Sequence, residues 1–287
     1  MVTKKSTSYL LLLPAMAIIG MVVLAPLGYC AWLSLHRYSL WEPGRQFAGL
    51  ENYATLFGDR RFLVSACRTA GFVMVSVALE LVSGLGLALM MHRKSRIRGL
   101  LRAAVMVPWA IPTVVSGLTW GWMFNDRMGV LNKLGGLISS GWGQLAWLAS
   151  PNLAWLALTV AEVWKTSPFV ALIILAGLQM IPEELYQAAE IDGAGVLRKF
   201  VGITLPLLWP TITVAVLFRT IDALRVFDLV MVMTSGGPGG ATEVLSLYNY
   251  KLLFSHLNFG YGSAVSMALF LMVMAVSLLY VKHAVEQ

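Results

Sequence analysis

Apolar residues run through this chain in long stretches separated by shorter polar segments. Six of the stretches, at residues 9–35, 68–91, 103–124, 153–179, 207–234 and 262–281, are long enough to cross a hydrocarbon layer as helices. The pattern predicts an all-α polytopic membrane protein with six transmembrane helices, forming one transmembrane domain over residues 1–287. Pro108 and Pro112 predict local breaks in the third span, which neighbouring helices must satisfy. Segments 37–61, 125–152 and 235–262 read as connections. The second has room for a short surface helix, and the third carries a tight turn at Gly236-Gly237-Pro238-Gly239-Gly240. The first apolar stretch is too long for a cleaved leader and lacks a small-residue cleavage site, so it reads as an uncleaved span.

One interruption differs from the others. Residues 181–206, IPEELYQAAEIDGAGVLRKFVGITLP, form the longest amphipathic segment between spans. Pro182 suits the first helical position, and Glu183 and Glu184 fall where the positive end of a helix dipole favours acids. Gly193 stands where a helix ends in a left-handed residue, and a second short helix reaches to about Ile203 before Pro206. The prediction is a helix–Gly–helix hairpin that offers small residues, Ala188 and Ala189, for close contact.

Composition agrees with a membrane chain: 58% of residues are hydrophobic and only 12% charged, against about a quarter charged in soluble domains. The net charge of +7 does not point to nucleic acid, because the basic residues gather in short segments beside apolar runs. Lys4, Lys5, Arg93, Lys94, Arg96, Arg98, Arg102, Arg198, Lys199 and Lys282 fall on one side of a six-span arrangement. Arg37, Arg45, Arg60, Arg61, Arg127, Lys133 and Lys251 spread over longer loops on the other. This bias predicts cytoplasmic termini and puts the 181–206 hairpin in the cytosol. Cys30 and Cys67 fit apolar helix positions better than a disulfide or metal site. The four histidines sit near span borders, and no phosphate-binding Gly-x-x-x-x-Gly-Lys-[Ser/Thr] motif occurs. No metal site, cofactor or catalytic residue is expected in this chain, so energy must come from elsewhere.

Ionisable residues inside spans are costly and mark a partner or a watery pathway. Glu162, Lys165, Thr166 and Phe169 fall at helical spacing on one face of the fourth span, and Arg219, Asp222, Ala223 and Val226 do the same on the fifth. Two readings stay open. Glu162 with Lys165, and Arg219 with Asp222, are intrahelical pairs that neutralise each other, or these groups line a pathway for a hydroxyl-rich solute with Phe169 offering a ring face. Pro168 favours the second, since it leaves the Trp164 carbonyl without its helical partner. Glu80 in the second span is as well explained by pairing with a neighbouring helix.

The order Gln187-Ala188-Ala189, three residues, Gly193, nine residues, Ile203-x-Leu205-Pro206 resembles the EAA motif of permease subunits of binding-protein-dependent ABC importers. The leading Glu of that motif is here Gln187. The run Ser235-Gly-Gly-Pro-Gly-Gly-Ala-Thr-Glu-Val-Leu245, then Phe259-Gly-Tyr-Gly-Ser-Ala264, together with AEVWKTSPF and LFRTIDALRVFD, resembles the first-permease type of carbohydrate importers, trehalose-type members above all. The resemblance implies the type I importer permease fold and a prokaryotic cell-membrane location. It implies a coupling role for Glu184, Gln187, Ala188, Ala189, Asp192 and Gly193, with Glu184 or Glu190 supplying the charge missing at Gln187. Sugar-contacting places would fall on the two faces named above. The implied partners are a second, non-identical permease, two copies of an ATPase subunit that holds ATP and Mg, and an extracytoplasmic solute-binding protein. A proton-coupled secondary transporter relaying through Glu80, Glu162 and Asp222, and an importer for a peptide or polyamine, are the alternatives.

Overall fold

The computed structural model describes residues 12–41, 44–93, 95–138 and 143–285. Lys4, Lys5, Lys94 and the expected start of the first span at Tyr9 lie outside them. Among the described residues, helices α1 (Leu12–Ser34), α3 (Arg60–His92), α7 (Pro151–Met180), α9 (Val196–Leu224) and α12 (Phe259–Val285) are long and apolar enough to cross a membrane. The third expected span is two helices, α4 (Arg98–Ala110) and α5 (Thr113–Met123), which meet at 91°. They count as a sixth span if the bent pair is one broken crossing. The break falls at Ile111-Pro112, where Pro112 is extended with ψ 139°, as the residue preceding a helix must be. Short helices α2 (Glu51–Gly58), α6 (Val130–Ile138), α8 (Glu183–Ile191), α10 (Asp228–Met233) and α11 (Leu245–Tyr250) fill the connections.

The chain divides into two compact units. The first comprises residues 1–64 and 248–272. A small antiparallel hairpin pairs β1 (His36–Arg37) with β2 (Gln46–Phe47). The buried Asn52 amide donates to the Ser34 and His36 carbonyls at 2.8 and 3.0 Å. Asp59 then starts α3, its Oδ1 accepting the Arg61 backbone N–H at 2.8 Å, while Oδ2 accepts the phenols of Tyr248 and Tyr261 at 2.5 and 2.6 Å. Burial pushes the Asp59 carboxyl up, but these hydrogen bonds outweigh it and hold the group below the usual aspartate value. Burial and the neighbouring carboxylate push the Tyr248 phenol up.

The second unit comprises residues 65–247 and 273–287. Helix α7 is its centre: 61% of its most apolar stretch is buried, against 22% for α9. Val170, Ala171, Ile174 and Leu178 of α7 pack with Ala88 and Met91 of α3 and Leu208, Ile212 and Ala215 of α9. Small residues set the approach, as is common where lipid gives no hydrophobic drive to helix pairing. A Cβ on Gly84 would lie 2.6 Å from Val170, and one on Gly177 would lie 2.6 Å from Thr211.

The fifth span differs from expectation at both ends. The hairpin's second arm does not stop before Pro206. It runs through a π-helical turn, Phe200–Thr204, into the span, so α9 is continuous over Val196–Leu224. Pro206 falls at the first positions after that turn, where its missing N–H costs least. At the other end α9 stops at Leu224 rather than continuing to 234; Phe227 takes φ −138°, and α10 begins at Asp228 with its acid in the first turn. The Val226 carbonyl exposed by the break accepts the Ser246 hydroxyl. The Gly-rich segment that follows is tied down: Arg68 and Trp155 donate to the carbonyls of Gly240 and Ala241 at 2.6 and 3.1 Å.

Candidate functional site

Two features of the second unit carry chemistry. The first is an ion cluster between α3, α7 and α9. Arg219 donates through Nε to Glu80 Oε2 at 2.6 Å and through Nη2 to Glu80 Oε1 at 3.3 Å and Glu162 Oε1 at 3.0 Å. Its Nη1 reaches Asp222 Oδ2 at 3.3 Å, and Arg225 takes Asp222 Oδ1 at 3.2 Å. Glu80 is fully enclosed, and Glu162 and Arg219 are buried. One planar fork thus ties three helices together at one level, which a lysine's point charge does not do.

The expected pairing was incomplete. Glu162 pairs with Arg219 rather than with Lys165, and Glu80 is a full member of the cluster. Lys165 is buried one turn along, where it feels the charges of Glu162 and Arg219, but forms no ion pair among the described residues. The Thr166 hydroxyl is spent on the Glu162 carbonyl at 2.7 Å. Ala223 is buried in α9. Val226 lies past the end of that helix, so it does not share a helical face with Arg219 and Asp222. Phe169 stacks on Trp109 with centroids 5.9 Å apart and meets Phe218 edge-on at 6.5 Å. Trp109, which the sequence did not single out, is about half exposed. A cavity of about 470 Å³ opens between α3, α4 and α7, lined by Ser83, Trp164, Ser167 and Pro168 among others.

The second feature is the hairpin. Helix α8 spans Glu183–Ile191 and is preceded by Pro182 as an extended cap rather than as its first residue. Gly193 takes φ +74°, and the N–H of Ala194 returns to the Ala189 carbonyl at 2.8 Å. This is the left-handed helix end expected of a glycine. Lys199 closes the hairpin by donating to Glu190 at 2.6 Å, and the Tyr186 and Thr204 hydroxyls meet at 3.0 Å. Glu184, Gln187, Ala188, Asp192 and Gly193 are exposed, Ala189 partly so. Glu184 carries no hydrogen bond or ion pair among the described residues. Ile191, Val196 and Leu197 are also bare, at 87, 82 and 75% exposure. Apolar side chains so exposed beside charged ones form a patch of the kind found at protein or membrane contact sites.

A bundle of apolar spans with an ion cluster between three of its helices and an amphipathic hairpin between two spans has the build of a membrane transport component. The chain belongs to the family described as binding-protein-dependent transport system inner membrane component, whose model matches residues 81–287. It is 43% identical over 277 residues to the trehalose/maltose transport system permease protein MalF of Thermococcus litoralis, covering 96% of this chain and 92% of that one. It is 40% identical to the sulfoquinovosyl glycerol transport system permease protein SmoG of Agrobacterium fabrum, covering 95% and 88%. With the trehalose transport system permease protein SugA of Mycobacterium tuberculosis it shares 39% identity over 97% and 89%. Among solved structures, a chain of a bacterial alginate ABC transporter superposes with TM-score 0.83 and 21% identity, covering 97% of this chain and 94% of that one. The fold is that of an ABC importer permease, a multi-pass component of the inner membrane that works with an ATPase, a further permease and a binding protein.

Proposed function

We propose that this chain is one of two non-identical membrane subunits of an ATP-driven importer for a di- or oligosaccharide of the trehalose or maltose kind. Three relatives at 39–43% identity bear the names of permeases for trehalose, maltose or a sugar glycoside, and this carries the sugar reading. Two ATPase copies, which hold ATP and Mg, dock on the hairpins, and the termini lie with the hairpin in the cytosol. The exposed patch of Ile191, Val196 and Leu197 beside Glu184 and Gln187 supports the docking surface. The basic residues that flank the same ends of the spans support the orientation.

Transport then follows alternating access. ATP binding brings the ATPases and their hairpins together, and the permease pair opens outward to accept sugar from the binding protein. The pathway side of this subunit is the α7–α9 face, with Lys165, Asp222 and the Trp109–Phe169 stack as its polar and aromatic groups. The test is uptake of labelled trehalose and maltose by vesicles holding the full complex and the loaded binding protein. ATP-dependent accumulation of either sugar is expected. A complex that hydrolyses ATP with a peptide- or polyamine-loaded binding protein, and imports neither sugar, overturns the solute.

A further inference from the structure

The groups around Arg219 are unequally placed, and the inequality assigns them different work. Side-chain exposure is 0% at Glu80, 6% at Arg219 and 9% at Glu162, then 54% at Asp222 and 59% at Arg225. The guanidinium has five N–H groups. Its contacts take four, two to Glu80, one to Glu162 and one to Asp222. It therefore has little left to offer a solute and is enclosed besides. Asp222 is the reverse case. Each of its oxygens accepts one hydrogen bond, from Arg219 and from Arg225, and a carboxylate has about four acceptor sites. Two remain, on the exposed side of the cluster, three residues before α9 breaks.

We propose that Glu80 and Arg219 are positioning residues whose task is to hold the Asp222 carboxylate for hydroxyl groups of the solute, Arg219 itself making no contact. This rests on the sugar-pathway reading above. An i,i+3 pair such as Arg219–Asp222 would by itself be a weak and mobile contact. Glu80 removes that freedom: gripping Nε and Nη2 from another helix, it fixes the plane of the fork and so the direction in which Nη1 points. Asp222 then accepts from adjacent hydroxyls with its remaining lone pairs. The same hydroxyls meet no such acceptor at Glu80 or Glu162.

The experiment measures trehalose and maltose uptake in vesicles, each normalised to assembled complex, and takes the ratio of the two rates. A merely structural defect slows both sugars together and leaves the ratio alone. Asp222→Asn, a change at an exposed side chain, is expected to shift the ratio by about tenfold, the worth of a hydrogen bond to a charged group. Glu80→Gln is expected to shift it in the same direction. The double variant is expected to match Asp222→Asn, because Glu80 acts only through Asp222. A ratio unchanged in Asp222→Asn overturns the proposal, as does a Glu80→Gln shift that adds fully to that of Asp222→Asn. If Glu80→Gln fails to assemble, Arg219→Lys takes its place, keeping the charge but losing the fork, with the same expectation. If the wild-type complex imports spermidine and putrescine instead of either sugar, the sugar reading falls and the hydroxyl assignment of Asp222 with it; a ratio between the two amines that shifts alike in Asp222→Asn and Glu80→Gln then keeps only the positioning of Asp222 by Glu80 and Arg219, and one that does not shift overturns that as well.

Discussion

The carboxylates around Arg219 and those of the α8 hairpin carry the same charge in opposite settings. Glu80 and Glu162 have lost nearly all water and are held by one guanidinium from a third helix. Glu184 stands in solvent on a hairpin closed by the Glu190–Lys199 ion pair and the Tyr186–Thr204 hydroxyl contact. A buried charge leans on its partner for its existence in the fold, so its partner cannot be removed alone. An exposed charge leans on water, and its removal is felt only when another protein arrives. The comparison separates residues that hold this subunit together from residues proposed above to join it to others.

The largest effect should come from Arg219→Met. It strands Glu80 and Glu162 in a dry site, at a cost of about 3–5 kcal/mol. Loss of most folded subunit is expected, read as the amount surviving detergent extraction and its melting temperature. The double change Arg219→Met with Asp222→Leu should fare no better, since both buried acids remain. Glu80→Gln, Glu162→Gln and Arg219→Met together should recover folded protein while uptake stays low. Recovery of uptake as well would make the cluster structural only.

Next in size is Gly193→Asp. A Cβ there meets nothing within 4 Å, but φ is +74°, a conformation that costs non-glycine residues about 1 kcal/mol or more. The subunit should insert and fold while the hairpin loses its shape. Solute-stimulated ATP hydrolysis in the reconstituted complex should fall to the basal rate; normal stimulation would release the hairpin from its coupling role.

A smaller effect is expected at Asp59. Its folded value is lowered, so the stabilisation it gives is complete above the usual aspartate range and drains away as pH falls through the folded value. Melting curves of wild type and Asp59→Asn should therefore differ at pH 7 and converge on strong acidification. A gap that stays constant with pH would mean the carboxylate charge is not what ties Tyr248 and Tyr261. Smallest of all is Glu184→Ala, which should leave melting unchanged and loosen ATPase retention during detergent washing, whereas Gln187→Glu should be tolerated. Equal ATPase retention in Glu184→Ala would remove that residue from the docking surface.

The spans and the hairpin were legible because each is written in local sequence. Apolar length marks a span, and the run from Pro182 to Gly193 carries a helix start and a left-handed stop. The π-turn before Pro206 and the break after Leu224 were not legible. Both depend on whether neighbouring groups satisfy a freed carbonyl, as Ser246 does for Val226. The partner of Glu80 was hidden for a related reason. Arg219 is 139 residues away, and helix spacing suggested nearer partners for Glu162 and Arg219. That an ionisable residue inside a span needs a partner was readable; which one depended on how α3, α7 and α9 turn about their axes. Trp109 gave no signal of its own, since a tryptophan near a span's middle resembles any other apolar residue.

The continuity of α9 makes the hairpin's second arm and the residues around Arg219 parts of one lever. Some twenty residues separate Arg198 from Arg219, about 30 Å of helix at 1.5 Å per residue. Tilting such a rod by about 10° displaces its far end by about 5 Å, roughly a helical turn. The Arg219 contacts to Glu80 and Glu162, at 2.6 to 3.3 Å, tolerate only a fraction of that travel. Under the coupling proposed above, a push on the hairpin would either carry α3 and α7 along as a body or open the cluster, which gives the ion cluster the place of a detent in that scheme.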